Sequence, residues 1–201
     1  MKNKFISFGI LLISFLLFTA STASFVSDPQ NLFNNQTKEL VTQKNKEYQK
    51  TKNKPEVRIL SLKNSNDINK IRPMKNQVII VAALQNKRKN VQILVGKNYQ
   101  DVLTQNKCSN IIRYAGDKLR SEKKSSFNSG IRLVFNACAT LIAKKDKLSY
   151  DKNSLTQEEL QKIDHPQSVS LVWGLVIAAL ISFGLVLFKS TRKPHWGLTK
   201  S

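Results

Sequence analysis

Two short apolar runs in the middle of the chain, residues 78–84 and 91–95, predict the centre of the fold. Both runs are rich in Val and Ile, and the polar residues 85–90 between them form a connection short enough for an antiparallel hairpin. The first run is apolar at every position, so we expect both faces of this strand to be covered. A strand covered on both sides requires helices above and below it.

The residues before the hairpin predict one helix and one further strand. Asn34 or Asn35 can cap a helix that ends near Lys52, and its outer face is dense in lysine. Apolar residues alternate over residues 56–62, a pattern typical of a strand. The polar connection that follows, residues 64–73, has room for one short helical turn.

The residues after the hairpin predict helices. One apolar stripe comprises Cys108, Ile111, Ile112, Ala115 and Leu119, and a second comprises Ile131, Val134, Phe135, Cys138, Leu141 and Ile142. Residues 123–129 are predicted to be the loop between these helices, and Thr156 begins a capping box for a last short helix. The order of elements predicts an α/β fold, a three-layer α/β/α sandwich with a small central sheet.

Both ends of the chain carry patterns of membrane targeting. Residues 1–23 combine two lysines, an apolar core and a run of small residues, as a secretory signal peptide does; an uncleaved anchor is the alternative. Residues 168–188 are apolar apart from serines and are long enough to cross a hydrocarbon core of ~30 Å; a buried helix is the alternative. Basic residues in the tail, 189–201, follow this span and predict that the C-terminus is cytoplasmic.

This topology predicts a protein of the cell membrane that crosses it once. Residues 24–150 would form an extracytoplasmic domain, and residues 151–167 would link that domain to the transmembrane helix. The formal net charge of the whole chain is +20. Without the basic residues of the signal peptide and the tail, 27 basic and 13 acidic residues remain outside, a formal charge of +14.

A domain this basic attracts polyanions. Outside a cell the available partners are anionic wall polymers, anionic lipids and acidic membrane proteins. Nucleic acid is not an expected partner, because the chain has no recognised nucleic-acid-binding motif and the compartment is wrong.

One compact basic cluster, Lys87, Arg88 and Lys89, lies at the predicted tip of the hairpin. Such a cluster is often no more than a solvated turn. The alternative is a surface that contacts anions, which Lys123 and Lys124 would extend if the two loops lie close together.

The two cysteines, Cys108 and Cys138, fall on the apolar stripes of neighbouring predicted helices. In an exported domain they could form a disulfide that contributes ~3–4 kcal/mol, or remain free buried thiols. His165, in the predicted linker, is the only histidine of the part of the chain predicted to be extracytoplasmic, and hydrolase or phosphate-loop motifs are missing from the sequence. These observations disfavour most hydrolytic mechanisms.

Five segments carry a family resemblance: Val26-Ser-Asp28, the capped first helix, the strand over residues 57–62, the hairpin and Ile93-Leu-Val-Gly96. They resemble the TPM domain, a family named for thylakoid-lumen and photosystem-repair proteins with many exported, singly anchored bacterial members, and the resemblance covers residues 25–145. It implies an α/β/α sandwich. It also implies the acid phosphatase activity described for some relatives, and binding of divalent cations through acidic loop residues.

The chain departs from the family's acidic pattern. Asp28 stands where the early Asp is expected, but residues 73–77 replace the acidic loop before the central strand. Gln100 and Gln105 stand near later acidic positions, and Asp101 is one position away. A divalent cation needs several converging oxygen ligands, so Asp28 and Asp101 alone would bind Ca or Mg weakly. No cofactor is therefore expected.

The sequence thus predicts a membrane-anchored, extracytoplasmic binding or scaffold domain without catalytic activity. One alternative is a divalent-metal-dependent phosphatase with a degenerate site at Asp28 and Asp101, which requires these carboxylates to approach one another. Another is a structural subunit of a membrane protein complex, with residues 168–188 making the contacts.

Overall fold

The computed structural model describes residues 24–85 and 88–165, except for the side chain of Gln85. The chain divides after Thr156 into two compact units. The sheet, its covering helices and the candidate site all belong to the first unit. In the second unit the structure describes one short helix, which carries an ion pair of 2.7 Å between Lys162 and Glu158.

Four strands form one sheet in the order β1-β2-β3-β4. Their bounds are Val26–Ser27 for β1, Glu56–Leu62 for β2, Gln77–Gln85 for β3 and Arg88–Val95 for β4. β1 pairs with β2 and β2 with β3 in parallel, whereas β3 and β4 are antiparallel. The predicted strand at residues 56–62 and the predicted hairpin are confirmed, and the two-residue β1 is an element that the sequence pattern did not predict.

One α-helix lies between β1 and β2, and the other α-helices of the described residues follow β4. The helices are α1 Asn35–Tyr48, α2 Gln105–Tyr114, α3 Gly116–Arg120, α4 Lys124–Asp146 and α5 Gln157–Asp164, with 3-10 helices at Ser65–Lys70 and Lys97–Tyr99. The side chain of Asn34 caps α1 by accepting a hydrogen bond from the amide of Thr37, as the sequence predicted.

α1 and α4 cover one face of the sheet. Alternate residues of β2, among them Val57 and Ile59, are buried on this face beside Val78 and Ile80 of β3. Asn45 of α1 is fully buried and binds both backbone groups of Val57, at 2.8 Å to its amide and 2.7 Å to its carbonyl. Its amide side chain therefore fixes the position of α1 against the sheet.

The opposite face is covered by the 3-10 helix Ser65–Lys70, whose Ile68 packs on Ile79, Val81 and Ala83 of β3. The α/β class is confirmed. The helical layer expected on this second face consists, within the described residues, of one short 3-10 helix rather than α-helices. Its sequence explains the difference, because a single apolar residue among Ser, Asn and Asp favours turns over a long helix.

Two predicted boundaries are corrected. The single apolar stripe over residues 108–119 is divided between α2 and α3, which meet at Ala115. The predicted loop over residues 123–129 is wrong, because α4 begins at Lys124. Phe127 and Asn128 in this stretch are completely buried, so contacts with the rest of the domain outweigh its polar composition.

The predicted signal peptide, residues 1–23, and the predicted transmembrane helix, residues 168–188, lie outside the described residues. Among the helices that the structure does describe, none has both the length and the apolar character needed to span a bilayer.

Gly96 follows β4 at a point where two backbone segments come unusually close. A Cβ atom at this position would lie 1.9 Å from the carbonyl oxygen of Met74 and 2.7 Å from that of Gln77. The amide of Gly96 donates to the same Gln77 oxygen at 2.8 Å. Only glycine fits here, because backbone atoms cannot rotate away as a side chain can.

We therefore expect Gly96→Ala to lower the free energy of unfolding by about 3 kcal/mol, measured by urea unfolding of a fragment spanning residues 24–165. Gly116→Ala is the matched control. Its Cβ would meet only the Arg120 guanidinium, at 3.2 Å, and Arg120 is exposed and flexible. The control should be neutral or stabilising by up to ~1 kcal/mol. Equal losses in the two variants would contradict this explanation.

Candidate functional site

Asp28 lies directly after β1, at the end of the sheet where β1, β2 and β3 terminate. Its side chain is only 4% exposed. One carboxylate oxygen accepts the amide of Leu32 at 2.8 Å, and the other accepts the amide of Phe33 at 3.0 Å. The second oxygen also lies 2.9 Å from the ammonium group of Lys38. The carboxylate therefore shapes the turn that leads into α1.

The ionisation of Asp28 reflects these contacts. Burial alone would raise the pKa of this carboxyl group. Hydrogen bonds from Lys38, from Ser61 and from the amides of Leu32 and Phe33 outweigh burial and hold the pKa below its usual value. Asp28 is thus charged at neutral pH, and its charge is already compensated inside the domain.

Asp101 lies in the loop between the 3-10 helix Lys97–Tyr99 and α2, and its side chain is 64% exposed. Its carboxylate is 2.6 Å from the ammonium group of Lys145, near the end of α4. This hydrogen bond is the main reason that the pKa of Asp101 is lowered. Lys145 also donates to the carbonyl of Asn98, so the ion pair joins α4 to the loop after the sheet.

The topology places these two carboxylates at opposite ends of the sheet. Asp28 follows Ser27, which pairs with Leu60 near the end of β2. Asp101 comes after Val95, which pairs with Val78 at the start of β3. Leu60 and Val78 are three residues, about 10 Å, apart in the direction of the parallel strands. Asp28 lies beyond Leu60 toward one end of the sheet, and Asp101 lies beyond Val78 toward the other end.

These residues do not fit a divalent cation. A Ca or Mg ion at Asp28 would meet a carboxylate that is already bound by a lysine and two backbone amides, and Asp101 lies too far away to help bind it. Moreover, no group of three or more His, Cys, Asp or Glu side chains converges within the described part of the chain. The geometry therefore assigns no step of a metal-dependent phosphatase reaction to these carboxylates.

Lys89 connects the hairpin to the segment that precedes α4. It lies within β4 rather than in the predicted turn, and its ammonium group donates to the carbonyl oxygens of Ser121 at 3.0 Å and Glu122 at 3.5 Å. The same group lies 4.8 Å from the centre of the Phe127 ring, within the range of a cation–π contact. The two basic segments are therefore close together, which was the condition for a shared surface.

The other basic residues of the predicted cluster have different surroundings. Arg88 and Lys123 are exposed and, within the described residues, make no side-chain hydrogen bond or ion pair. Lys124 is exposed too, although its ammonium group donates to the carbonyl oxygen of Asn31 at 2.7 Å. Lys87 lies outside the described residues.

The N-terminus of α4 adds positive potential at the same place. This 23-residue helix begins without a side-chain cap and without an acidic residue in its first turn. No side chain within this first turn therefore offsets the partial positive charge of the first amides. We call this surface, formed by Arg88, Lys123, Lys124 and the first turn of α4, the basic end.

Both cysteines are buried free thiols in the structure. Burial raises the pKa of Cys108 to about 11 and that of Cys138 well above its ordinary value. Both thiols are therefore protonated at neutral pH, and neither is prepared to act as a nucleophile.

Asn128 is the residue of this region that the sequence analysis missed. Its buried side chain accepts the amide of Asn34 at 2.8 Å and donates to the carbonyl of Leu32 at 2.9 Å. Together with Asp28 it fixes the entry into α1. Helical spacing could have revealed it, since Asn128 lies three and seven residues before Ile131 and Phe135 of the apolar stripe.

Asp28→Asn should lower the free energy of unfolding by about 1–3 kcal/mol, because one amide nitrogen would face the Lys38 ammonium or a backbone N–H. Since the folded pKa is below the unfolded value, this stabilisation is complete above pH ~4 and is lost as the pH falls through the folded pKa. The difference in free energy of unfolding between the wild type and the variant, measured by urea unfolding, should become smaller as the pH is lowered from ~5 toward ~3.

Asp101→Asn is the control for this prediction, and no measurable change is expected because its ion pair is exposed. An Asp28→Asn protein as stable as the wild type at neutral pH would show that the carboxylate is not a structural element.

Two comparisons with known proteins were informative, one with protein families and one with curated proteins. The model of the TPM domain family matches residues 26–141, more than half of the chain. No curated protein matches this sequence. The match spans β1 to α4, and so includes the sheet, the Asp28 turn and the basic end. The chain therefore belongs to the TPM domain family.

Proposed function

We propose that this protein is a membrane-anchored TPM domain that binds an anionic partner at the outer surface of the cell membrane and does not catalyse a reaction. The partner would be an anionic wall polymer, an anionic lipid or an acidic membrane protein. The proposed topology rests on the sequence patterns of residues 1–23 and 168–188.

The observation that carries this proposal is the contact of Lys89 with the carbonyls of Ser121 and Glu122. It brings the start of β4 next to the start of α4, so that Arg88, Lys123 and Lys124 belong to the same end of the domain. Exposed cations that lack acidic partners attract anions over a Debye length, about 10 Å at moderate salt. The basic end should therefore attract anions more strongly than isolated surface lysines would.

The phosphatase alternative receives no support from the carboxylates, since Asp28 is bound by backbone amides and Asp101 lies at the other end of the sheet. The alternative of a structural subunit rests on residues 168–188, which lie outside the described residues. No observation in the described part of the chain favours it.

Reversal of two charges at the basic end, Arg88→Glu with Lys123→Glu, should weaken binding of poly(glycerol phosphate) about tenfold or more at low ionic strength. The full chain in nanodiscs of zwitterionic lipid would be titrated with labelled polymer. The variant should also show a smaller loss of affinity as salt is added. Lys89 is left intact, because its contacts with backbone carbonyls hold the surface together.

Lys50→Glu with Lys52→Glu is the matched control. These residues are exposed, change the net charge equally, and precede β2 at the opposite end of the sheet. If both double variants lose affinity to the same extent, binding depends only on net charge and the basic end is not a site.

Metal-stripped protein should show no change in thermal unfolding on addition of Ca or Mg at millimolar concentration, because Lys38 already compensates the charge of Asp28. A rise in Tm that Asp28→Asn abolishes, accompanied by phosphate release from a generic phosphomonoester, would instead favour the phosphatase alternative.

A further inference from the structure

A surface groove runs along the outer edge of β4, away from the basic end. Its volume is about 840 Å³. The floor is formed by residues 92–95 of β4, one wall by Ile71 to Pro73, and the other wall by residues of α2 and the loop before it, including Leu103 and Ile112. Met74, next to this wall, is 68% exposed and is one of two large hydrophobic side chains so exposed among the described residues.

The floor of the groove is an unpaired strand edge. β4 pairs with β3 on one side and is the last strand of the sheet. The amide of Gly96 donates to Gln77 of β3, so the backbone groups of Leu94 and Gln92 point toward β3 and those of Val91, Ile93 and Val95 point outward. The carbonyl of Val95 accepts only a long contact of 3.5 Å from Gln100. Within the described residues, the outward amides of Val91 and Ile93 have no hydrogen-bond partner.

An exposed strand edge of this kind is usually protected by charges, proline or a covering element, because it can pair with another chain. Here the edge lies between two walls with apolar side chains: Ile71 and Pro73 on one side, Leu103 and Ile112 on the other. An added strand directs successive side chains to opposite faces and would therefore place them against both walls.

The charge of the groove distinguishes between the segments that could bind in it. The lining residues include one cation, Arg72, and no acidic residue. A second copy of this chain would bring another excess of positive charge to the groove, since basic residues outnumber acidic ones by 33 to 13. A partner segment with acidic residues at its ends would instead bring negative charge, which the positive charge of the groove and of the domain attracts.

We propose that the outer edge of β4 binds an extended, acidic-flanked segment of a partner protein, which adds to the sheet as a fifth strand. Main-chain hydrogen bonds to Ile93 and Val95 would supply affinity, and the two walls would select a short apolar run of four or five residues. Arg72 would pair with a carboxylate of the flanking residues.

The test uses the full chain in zwitterionic nanodiscs and a synthetic nonapeptide with the run Val-Thr-Val-Ile-Val between two pairs of glutamates. In the free protein, amide hydrogen exchange at Ile93 and Val95 should be on the order of tenfold faster than at Gln92 and Leu94. A saturating concentration of the peptide should slow hydrogen exchange at the outward amides by tenfold or more and leave exchange at the inward amides unchanged.

Two controls separate strand addition from simple charge attraction. The same peptide with N-methyl groups on alternate residues keeps its charge and composition but cannot pair, and it should give no protection. On the protein, Ile112→Glu places a negative charge in the groove and should weaken peptide binding at least tenfold, whereas Arg113→Glu, on the exposed part of the same helix, should not.

Three results would overturn the inference: no binding of the nonapeptide, equal protection by the N-methylated peptide, or slowed exchange at the β4 edge that depends on protein concentration without peptide. The last would identify a second copy as the occupant. The Arg88→Glu, Lys123→Glu variant should retain peptide protection, and Ile112→Glu should retain polymer binding, so failure of the groove and failure of the basic end can be told apart.

Discussion

The burial of β3 on both faces is the constraint from which the rest of this domain follows. Val78, Ile80 and Ala82 face α1 and α4, while Ile79 and Val81 face the 3-10 helix, and all five are buried. A strand without a polar face cannot lie at the edge of a small sheet. β2 and β4 must therefore flank it, and this places β4 at the outer edge with its backbone groups exposed.

The carboxylate of Asp28 shows how a residue at a position associated with chemistry can have a structural function. Its oxygens accept two backbone amides and pair with Lys38 at the entry to α1. A ligand site needs carboxylates that have uncompensated charge and converge on one point. In this TPM domain the second candidate, Asp101, belongs to an ion pair that joins a loop to α4.

The two candidate binding surfaces depend on different physics. At the basic end, long-range electrostatic attraction would act between exposed cations and an anionic partner, and added salt would weaken it. At the β4 edge, directional hydrogen bonds and apolar contact act only over the length of a few residues. A domain with both could be drawn to an anionic surface by one and bind a protein segment by the other.

The sequence by itself determined the elements whose signals are local. The alternation in β2, the apolar run of β3, the hairpin and the Asn34 cap were all evident from neighbouring residues. What only the tertiary structure decided depends on distant partners. α4 begins at Lys124 because Asn128 binds backbone groups 94 and 96 residues earlier. Asp28 and Asp101 are separated because β4 runs antiparallel to β3, a property of the sheet topology and not of either residue. Lys89 connects the hairpin to the segment before α4 because its ammonium group donates to carbonyl oxygens some 30 residues later in the chain. Residue type and spacing specify which groups are available, but only the packed chain decides which of them are already engaged.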